Sequence, residues 1–168
     1  MPATYEPIAT TTLGSAASSI TFSSIPSTYT DLRVVLVTKT TSGNADIYLR
    51  FNSDSGSNYS RTILYGTGSV AGSGRNTSQT YLYLTGTAYP NASYAALVEA
   101  DIFSYAGSTY KTLLNKVATD KNGAGGVEAN VGLWRSTSAI TSITLTLEAS
   151  AQDFPTGTTA TLYGIKSA

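Results

Sequence analysis

The chain contains no cysteine and no histidine among its 168 residues. Disulfide bonds, thiol nucleophiles and zinc fingers are therefore excluded, and so is an imidazole acting as a general base. A serine nucleophile would need a lysine or a carboxylate as its base, and no G-x-S-x-G elbow is present to position one. These absences argue against an enzyme, and no catalytic residue or cofactor site is assigned.

Charged residues are scarce, at 12% of the chain, and ten basic side chains balance ten acidic ones. Since no basic stripe is available to neutralise phosphates, the composition argues against a nucleic-acid partner. Residues 1–7 have neither the basic nor the apolar region of a signal peptide, so we expect a protein made in a cytoplasm. Apolar runs such as Val34–Val37 are too short to span a bilayer, so no membrane partner is expected.

Threonine, serine, glycine and tyrosine are abundant, at 27, 22, 15 and 12 residues. Threonine and tyrosine favour a pleated, half-buried surface, whereas serine and glycine favour turns. Four segments alternate apolar and polar residues with period two, which predicts antiparallel strands with one solvated face. Their predicted inward-facing residues are Ile47, Leu49 and Phe51; Val98, Ala100 and Ile102; Val127, Ala129, Val131 and Leu133; and Ile143, Leu145 and Leu147.

Other segments are less regular. Leu32–Val37 is apolar on both faces in its middle, which predicts an interior strand. Tyr110–Ala118 fits a strand or a short helix, and a strand is favoured because its neighbours are strands. Ser42–Asn44 has hairpin spacing, and the glycine-rich stretch Gly66–Ser78 is expected to be a mobile surface loop. Further strand candidates are Ile8–Leu13, Ser19–Ser24, Thr80–Leu84 and Thr159–Lys166.

About ten short strands separated by turns predict an all-β fold, most simply an antiparallel β-sandwich, with a barrel as the alternative. Among sandwiches a jelly roll of eight or more strands fits best, and an immunoglobulin-like sandwich accommodates so many strands less well. The length predicts a single domain over residues 1–168, in which residues 1–14 are expected to form an extended N-terminal arm.

Two motifs carry possible chemistry. Glu99 and Asp101 share a strand face, and glycosidases use paired carboxylates at comparable separation. Such pairs usually face each other across a cleft, so we expect these two on a solvated outer face and keep an enzyme as the third hypothesis. The loop Asn52–Asn58 resembles the start of a calcium loop. Its glycine comes one place early and the bidentate glutamate is missing, so no metal site is assigned.

Aromatic residues on strands are the strongest indication of a binding surface. The residues expected on outer strand faces are Tyr48, Tyr81, Tyr83, Tyr105 and Trp134. Tyrosine and tryptophan are common at protein interfaces because they bury a large area and keep a polar group, and they also line sugar-binding platforms. Ordinary cross-strand aromatic pairing is the alternative explanation for any single tyrosine.

Three stretches of the chain resemble a known class of protein. They are Tyr5–Gly14 with its continuation through Ile20–Pro26 to Val34, Arg50–Tyr59, and Ala160–Lys166. These stretches are similar to small virion structural proteins of tailed phages, particularly cyanophages and marine phages. They contain strand and turn sequences without catalytic motifs, so no functional residue is carried over. The resemblance implies a β-sandwich particle protein that self-associates.

The leading hypothesis is therefore a non-enzymatic virion protein, and specifically a capsid decoration (cement) protein. Such a protein would form a homotrimer seated on the major capsid protein, where many weak contacts add up through avidity. A tail or fibre component is the second possibility. A carbohydrate-binding adsorption module is a rival from another class, and exposed aromatic residues on one concave face would favour it.

Overall fold

The computed structural model describes residues 4–148 and 152–166, which form strands, turns and loops. None of these residues belongs to a helix with the length and hydropathy needed to cross a membrane. The strands are β1 (Tyr5–Thr12), β2 (Ser19–Phe22), β3 (Asp31–Thr38), β4 (Ile47–Phe51), β5 (Tyr59–Gly66), β6 (Ala71–Gln79), β7 (Leu82–Tyr83), β8 (Ala96–Phe103), β9 (Lys111–Asp120), β10 (Gly125–Trp134), β11 (Ile143–Leu147) and β12 (Thr159–Ile165).

Two antiparallel sheets make up the fold. The larger sheet has eight strands in the order β1-β12-β3-β8-β9-β10-β5-β6, and the smaller has four in the order β2-β11-β4-β7. Buried side chains of both sheets form one apolar core, which confirms the predicted all-β, antiparallel sandwich. The jelly-roll connectivity is not confirmed, since β8, β9 and β10 follow one another in the chain and are direct neighbours in one sheet.

The core follows the predicted alternation on most strands. Ile47, Leu49 and Phe51 of β4 are fully buried, and the inward-facing residues predicted on β8 and β11 are buried as well. Leu32, Val34 and Leu36 of β3 are also fully buried, and β3 lies inside the larger sheet as predicted. Each fully buried side chain of this size contributes about 1.5 to 3 kcal/mol to folding.

Two connections differ from the sequence prediction. Ser42–Asn44 joins β3 of the larger sheet to β4 of the smaller one, so the expected hairpin there is wrong. The loop expected over Gly66–Ser78 is also wrong, because Thr67–Val70 makes a tight turn and β6 follows it, paired with β5. Since β6 is an edge strand of small and polar residues, it shows no apolar alternation.

The first and last strands, β1 and β12, also lie in the larger sheet. Of the residues expected to form an extended arm, Tyr5–Thr12 is β1, an edge strand that pairs with β12. The register shifts between Pro7 and Ala9, because proline has no N–H to donate to the ladder. The strand prediction for Tyr110–Ala118 is confirmed by β9.

Candidate functional site

The faces of β10 are reversed relative to the prediction. Val127 and Val131, expected in the core, are 62% and 51% exposed. Glu128 and Asn130, expected in solvent, are 4% and 1% exposed. The reversal places an apolar row on the outside of the larger sheet and a polar row on the inside.

Buried polar side chains of β9 and β10 make hydrogen bonds to the backbone of the loop that follows β7. One carboxylate oxygen of Glu128, Oε1, accepts hydrogen bonds from the backbone N–H groups of Gly86, Thr87 and Ala88. The amide nitrogens of Asn115 and Asn130, which lie opposite each other on β9 and β10, both donate to the Leu84 carbonyl, at 2.7 and 3.2 Å. Buried backbone outside a ladder needs such partners, so β10 turns its polar face inward.

An apolar patch therefore covers the outer face of the larger sheet. Its members are Val37, Leu64, Leu97, Val127 and Val131, each between 41% and 62% exposed. They are contributed by β3, β5, β8 and β10, and Ala118 of β9 pairs with both Leu97 and Val127 to close the row. A shallow depression of about 520 Å³ lies over part of this surface. We call this patch of exposed apolar residues the apolar sheet face.

Four charged residues on the apolar sheet face form two ion pairs. Arg33 binds Asp101 in a two-pronged pair, with Nε–Oδ1 at 2.6 Å and an N–O distance of 2.9 Å for the second prong. This bond to Asp101 raises the pKa of the Arg33 guanidinium. Lys116 lies 3.5 Å from Glu99 in a more exposed pair. Glu99 and Asp101 thus lie on the outer face as predicted, but the expected solvation is wrong for Asp101, which is buried beside Arg33.

Three of the five aromatic residues expected on outer faces are buried instead. Trp134 is inside because of the β10 reversal, where it packs against Phe51 and Tyr59 at ring-centroid distances of 5.4 and 6.3 Å. Tyr105 is fully buried and donates its hydroxyl hydrogen to the Pro26 carbonyl. Tyr48 does face outward from β4, but other tyrosines cover it and leave it 6% exposed.

In the loop Asn52–Asn58, the Asp54 carboxylate has a structural role as a hydrogen-bond acceptor. Asp54 accepts hydrogen bonds from Gly56 N–H at 2.8 Å, Asn58 Nδ2 at 2.9 Å and Trp134 Nε1 at 2.7 Å. Burial raises the pKa of the Asp54 carboxyl, but these three hydrogen bonds outweigh it and the pKa is lowered. The loop is therefore a tightly bonded turn that also anchors the only tryptophan.

A polar groove lies on the outer face of the smaller sheet. Its floor consists of two rows of side chains that run across the paired strands. One row is Ser19, Thr146 and Tyr48, and the next is Thr144 and Arg50. Tyr81, Glu148 and Gln152 also line the groove, and the cavity volume is about 720 Å³. We call this site the tyrosine groove.

The aromatic side chains of the tyrosine groove support one another. The Tyr81 ring stacks on Tyr48 with centroids 3.8 Å apart, and Tyr83 meets both rings edge-on. The Arg50 guanidinium lies 5.5 Å from the Tyr81 ring centre while its Nε donates to the Thr80 carbonyl. Burial, followed by the proximity of Tyr81 and Glu148, raises the pKa of the Tyr48 hydroxyl. These contacts hold Tyr81 in one orientation.

Sequence reasoning missed one motif, the S-x-x-K spacing of Ser108 and Lys111, which in some enzymes marks a serine nucleophile. Ser108 is exposed and Lys111 is buried. The Lys111 ammonium donates to the carbonyl oxygens of Gly107 and Thr109, and burial lowers its pKa. Lys111 thus closes the loop before β9, and its hydrogen bonds go to carbonyls rather than to the Ser108 hydroxyl.

Among the described residues, no group of three or more acidic side chains is placed to hold a metal ion. Comparison with protein-family models, curated proteins and solved structures finds no match to the chain. The apolar sheet face and the tyrosine groove are the candidate functional surfaces in the described part of the chain.

Proposed function

We propose that this chain is a non-enzymatic structural protein of a phage particle that acts by assembly. It forms a homo-oligomer through the apolar sheet face and decorates the capsid by binding the major capsid protein. The observation that supports this best is the apolar sheet face itself, with Val127 and Leu64 both 62% exposed.

The extent of the apolar sheet face favours an interface. It runs from Val37 to Leu64 across five neighbouring strands, β3-β8-β9-β10-β5. At a strand spacing of about 4.8 Å, the patch is about 20 Å wide. Monomeric proteins rarely expose contiguous apolar patches of more than a few hundred square ångströms, and larger ones mark sites of association.

The charges on this face favour a second copy of the chain as its occupant. Arg33 and Lys116 are balanced by Asp101 and Glu99 within the same face, so these four side chains add no net charge that would repel a second copy. Because these charges are already paired, covering them leaves none without a partner.

The capsid role draws support from the resemblance of three stretches of the chain to small virion proteins of tailed phages. The resemblance implies self-association. We propose three copies in the oligomer, since three linked copies on a symmetric lattice bind far more tightly than one. A virion location follows from the same argument. The polar outer face of the smaller sheet stays free of the self-contact in this arrangement.

Light scattering on the purified chain tests the assembly step. We expect a discrete trimer for the wild type and a folded monomer for Val127→Lys, because a charge at the centre of the patch must be desolvated on association. Ser55→Lys, which adds the same charge in an exposed loop, should remain trimeric and serves as the control. A wild-type chain that stays monomeric at high concentration would contradict self-association.

Co-sedimentation with stripped capsids tests the second step. The oligomer should bind assembled particles at least a hundredfold more tightly than isolated capsid protein, since linked contacts act at high effective concentration. The Val127→Lys variant should bind assembled particles no more tightly than it binds isolated capsid protein. A chain that ignores particles and is retained on a glycan column would instead favour a tail or fibre adsorption component. The tyrosine groove is the specific observation in favour of that second candidate.

A further inference from the structure

The tyrosine groove contains unused hydrogen-bonding capacity. The Tyr48 hydroxyl oxygen and the Gln152 side-chain oxygen are both buried. Neither makes a hydrogen bond of normal geometry to a described residue, although Tyr81 and Glu148 lie close to the Tyr48 hydroxyl. Both residues line the groove. Buried polar atoms are normally satisfied, so these two point to a polar ligand or to ordered water.

The groove also combines an aromatic side chain with hydroxyl groups. Tyr81 is half-buried and is held by its stack on Tyr48 and by the neighbouring Arg50. Thr144 and Thr146 provide hydroxyl groups along the floor, and Ser18 and Ser19 provide them at one side. A sugar ring matches this combination, because one of its faces is apolar C–H and its rim consists of hydroxyl groups.

The charges and the backbone narrow the class of ligand. Arg50 and Glu148 are the charged residues that line the groove, and their charges cancel, which disfavours a polyanion. The floor strands β4 and β11 are each paired on both sides. They offer no free backbone edge, so an extended peptide cannot add to the sheet there as a further strand. The volume of about 720 Å³ lies in the range of small-ligand sites.

We infer that the tyrosine groove is a binding site for a neutral carbohydrate. The sugar ring packs against Tyr81, and its hydroxyl groups bond to the Thr146 hydroxyl on the floor and to Arg50 and Glu148 at the rim. This inference does not depend on the proposed capsid role, because the groove and the apolar sheet face lie on opposite sheets.

Saturation-transfer NMR on the full chain with millimolar neutral disaccharides (cellobiose, maltose, lactose and chitobiose) tests the inference. At least one should receive saturation and should perturb backbone signals of Tyr48, Tyr81 and Thr146. Tyr81→Ala should weaken binding at least tenfold, since the ring supplies the stacking surface. Tyr81→Phe keeps the ring and should bind within about threefold of wild type. Tyr163→Ala, on the larger sheet, should bind like the wild type and is the matched control.

A second variant separates a loss of sugar binding from a folding defect, which could also weaken binding in Tyr81→Ala. Thr146→Arg places a long side chain into the groove from a partly exposed position and should abolish binding without loss of the core. Absence of saturation transfer to all four disaccharides would overturn the inference. So would sugar binding that survives both Tyr81→Ala and Thr146→Arg, or preferential binding of a serine- and threonine-rich peptide at the same signals.

Discussion

Val127 and Glu128 are neighbours on β10, yet the valine is 62% exposed and the glutamate is 4% exposed. The buried carboxylate binds three consecutive backbone N–H groups, those of Gly86, Thr87 and Ala88, together with the Thr87 hydroxyl at 2.8 Å. One loop of backbone thereby determines which face of β10 meets solvent. The apolar sheet face is the consequence of that requirement.

Replacing Glu128 with alanine should lower the free energy of unfolding by about 2 to 4 kcal/mol, because the variant leaves buried N–H groups without an acceptor. Urea denaturation followed by circular dichroism measures the change. Glu99→Ala is the control: Glu99 lies on the exposed face, where its single long ion pair contributes about 0.5 kcal/mol or less. Equal effects of the two substitutions would contradict the anchoring role of Glu128.

The sequence was sufficient to predict the strands whose inner faces are apolar. On β4, β8 and β11 the alternation of residues such as Leu49, Val98 and Leu145 coincides with burial, because those strands pack against the opposite sheet. On β10 the same reasoning failed, since Glu128 and Asn130 face a loop that needs hydrogen bonds rather than apolar contact. Nothing in the local pattern of β10 indicates that distant loop.

Asp46 provides a pH-dependent test. Burial raises its pKa from 3.8 to about 6, although the Thr85 hydroxyl donates to its carboxylate at 2.9 Å. Because the folded pKa lies above the unfolded value, the contribution of Asp46 to the free energy of unfolding is greatest below pH 4. It falls as the pH rises through 6, by at most about 3 kcal/mol.

Asp46→Asn should remove that part of the pH dependence while its side-chain oxygen still accepts the Thr85 bond. Between pH 4 and 7.5, the variant should therefore lose less unfolding free energy than the wild type, by about 1 to 3 kcal/mol. Urea titrations at both pH values provide the comparison. Identical pH profiles for the two proteins would show that Asp46 ionises as freely in the folded state as in the unfolded one.

Asp54 should stabilise the loop Asn52–Asn58 through Trp134. Asp54→Ala removes the acceptor of the buried indole N–H and of two further donors, so we expect a loss of about 2 kcal/mol. Since Trp134 is the only tryptophan, its fluorescence reports directly on this site. Ser55→Ala, in the same loop, should leave both fluorescence and stability unchanged, and an equal loss there would point to general loop strain.

Calcium should not act on this loop. The donors around Asp54 already occupy its carboxylate, and the loop lacks the bidentate glutamate of a calcium site. Neither millimolar CaCl₂ nor EDTA should shift the melting temperature by more than about 1 °C in a thermal scan. A rise with calcium that Asp54→Ala abolishes would reveal a metal site in this loop.

The candidate site was only partly predictable. Tyr48, Tyr81 and Tyr83 stand out in the sequence as strand aromatics, and all three belong to one cluster. Which tyrosine remains accessible depends on the pairing of β4 with β7, a long-range contact that local alternation does not encode. Gln152 and Glu148 join the same groove only through folding.

Glu99 and Asp101, the best carboxylate pair for a glycosidase, should show no hydrolytic role. Both lie on one open sheet face and each is ion-paired, so neither opposes the other across a cleft. Polysaccharide digests assayed for reducing ends should give no turnover for the wild type, Glu99→Gln or Asp101→Asn. Their effects on stability should differ instead. Asp101→Asn breaks the two-pronged bond to Arg33 and should cost about 2 kcal/mol, whereas Glu99→Gln should cost about 0.5 kcal/mol or less. Turnover by the wild type that either substitution abolishes would establish an active site on this face.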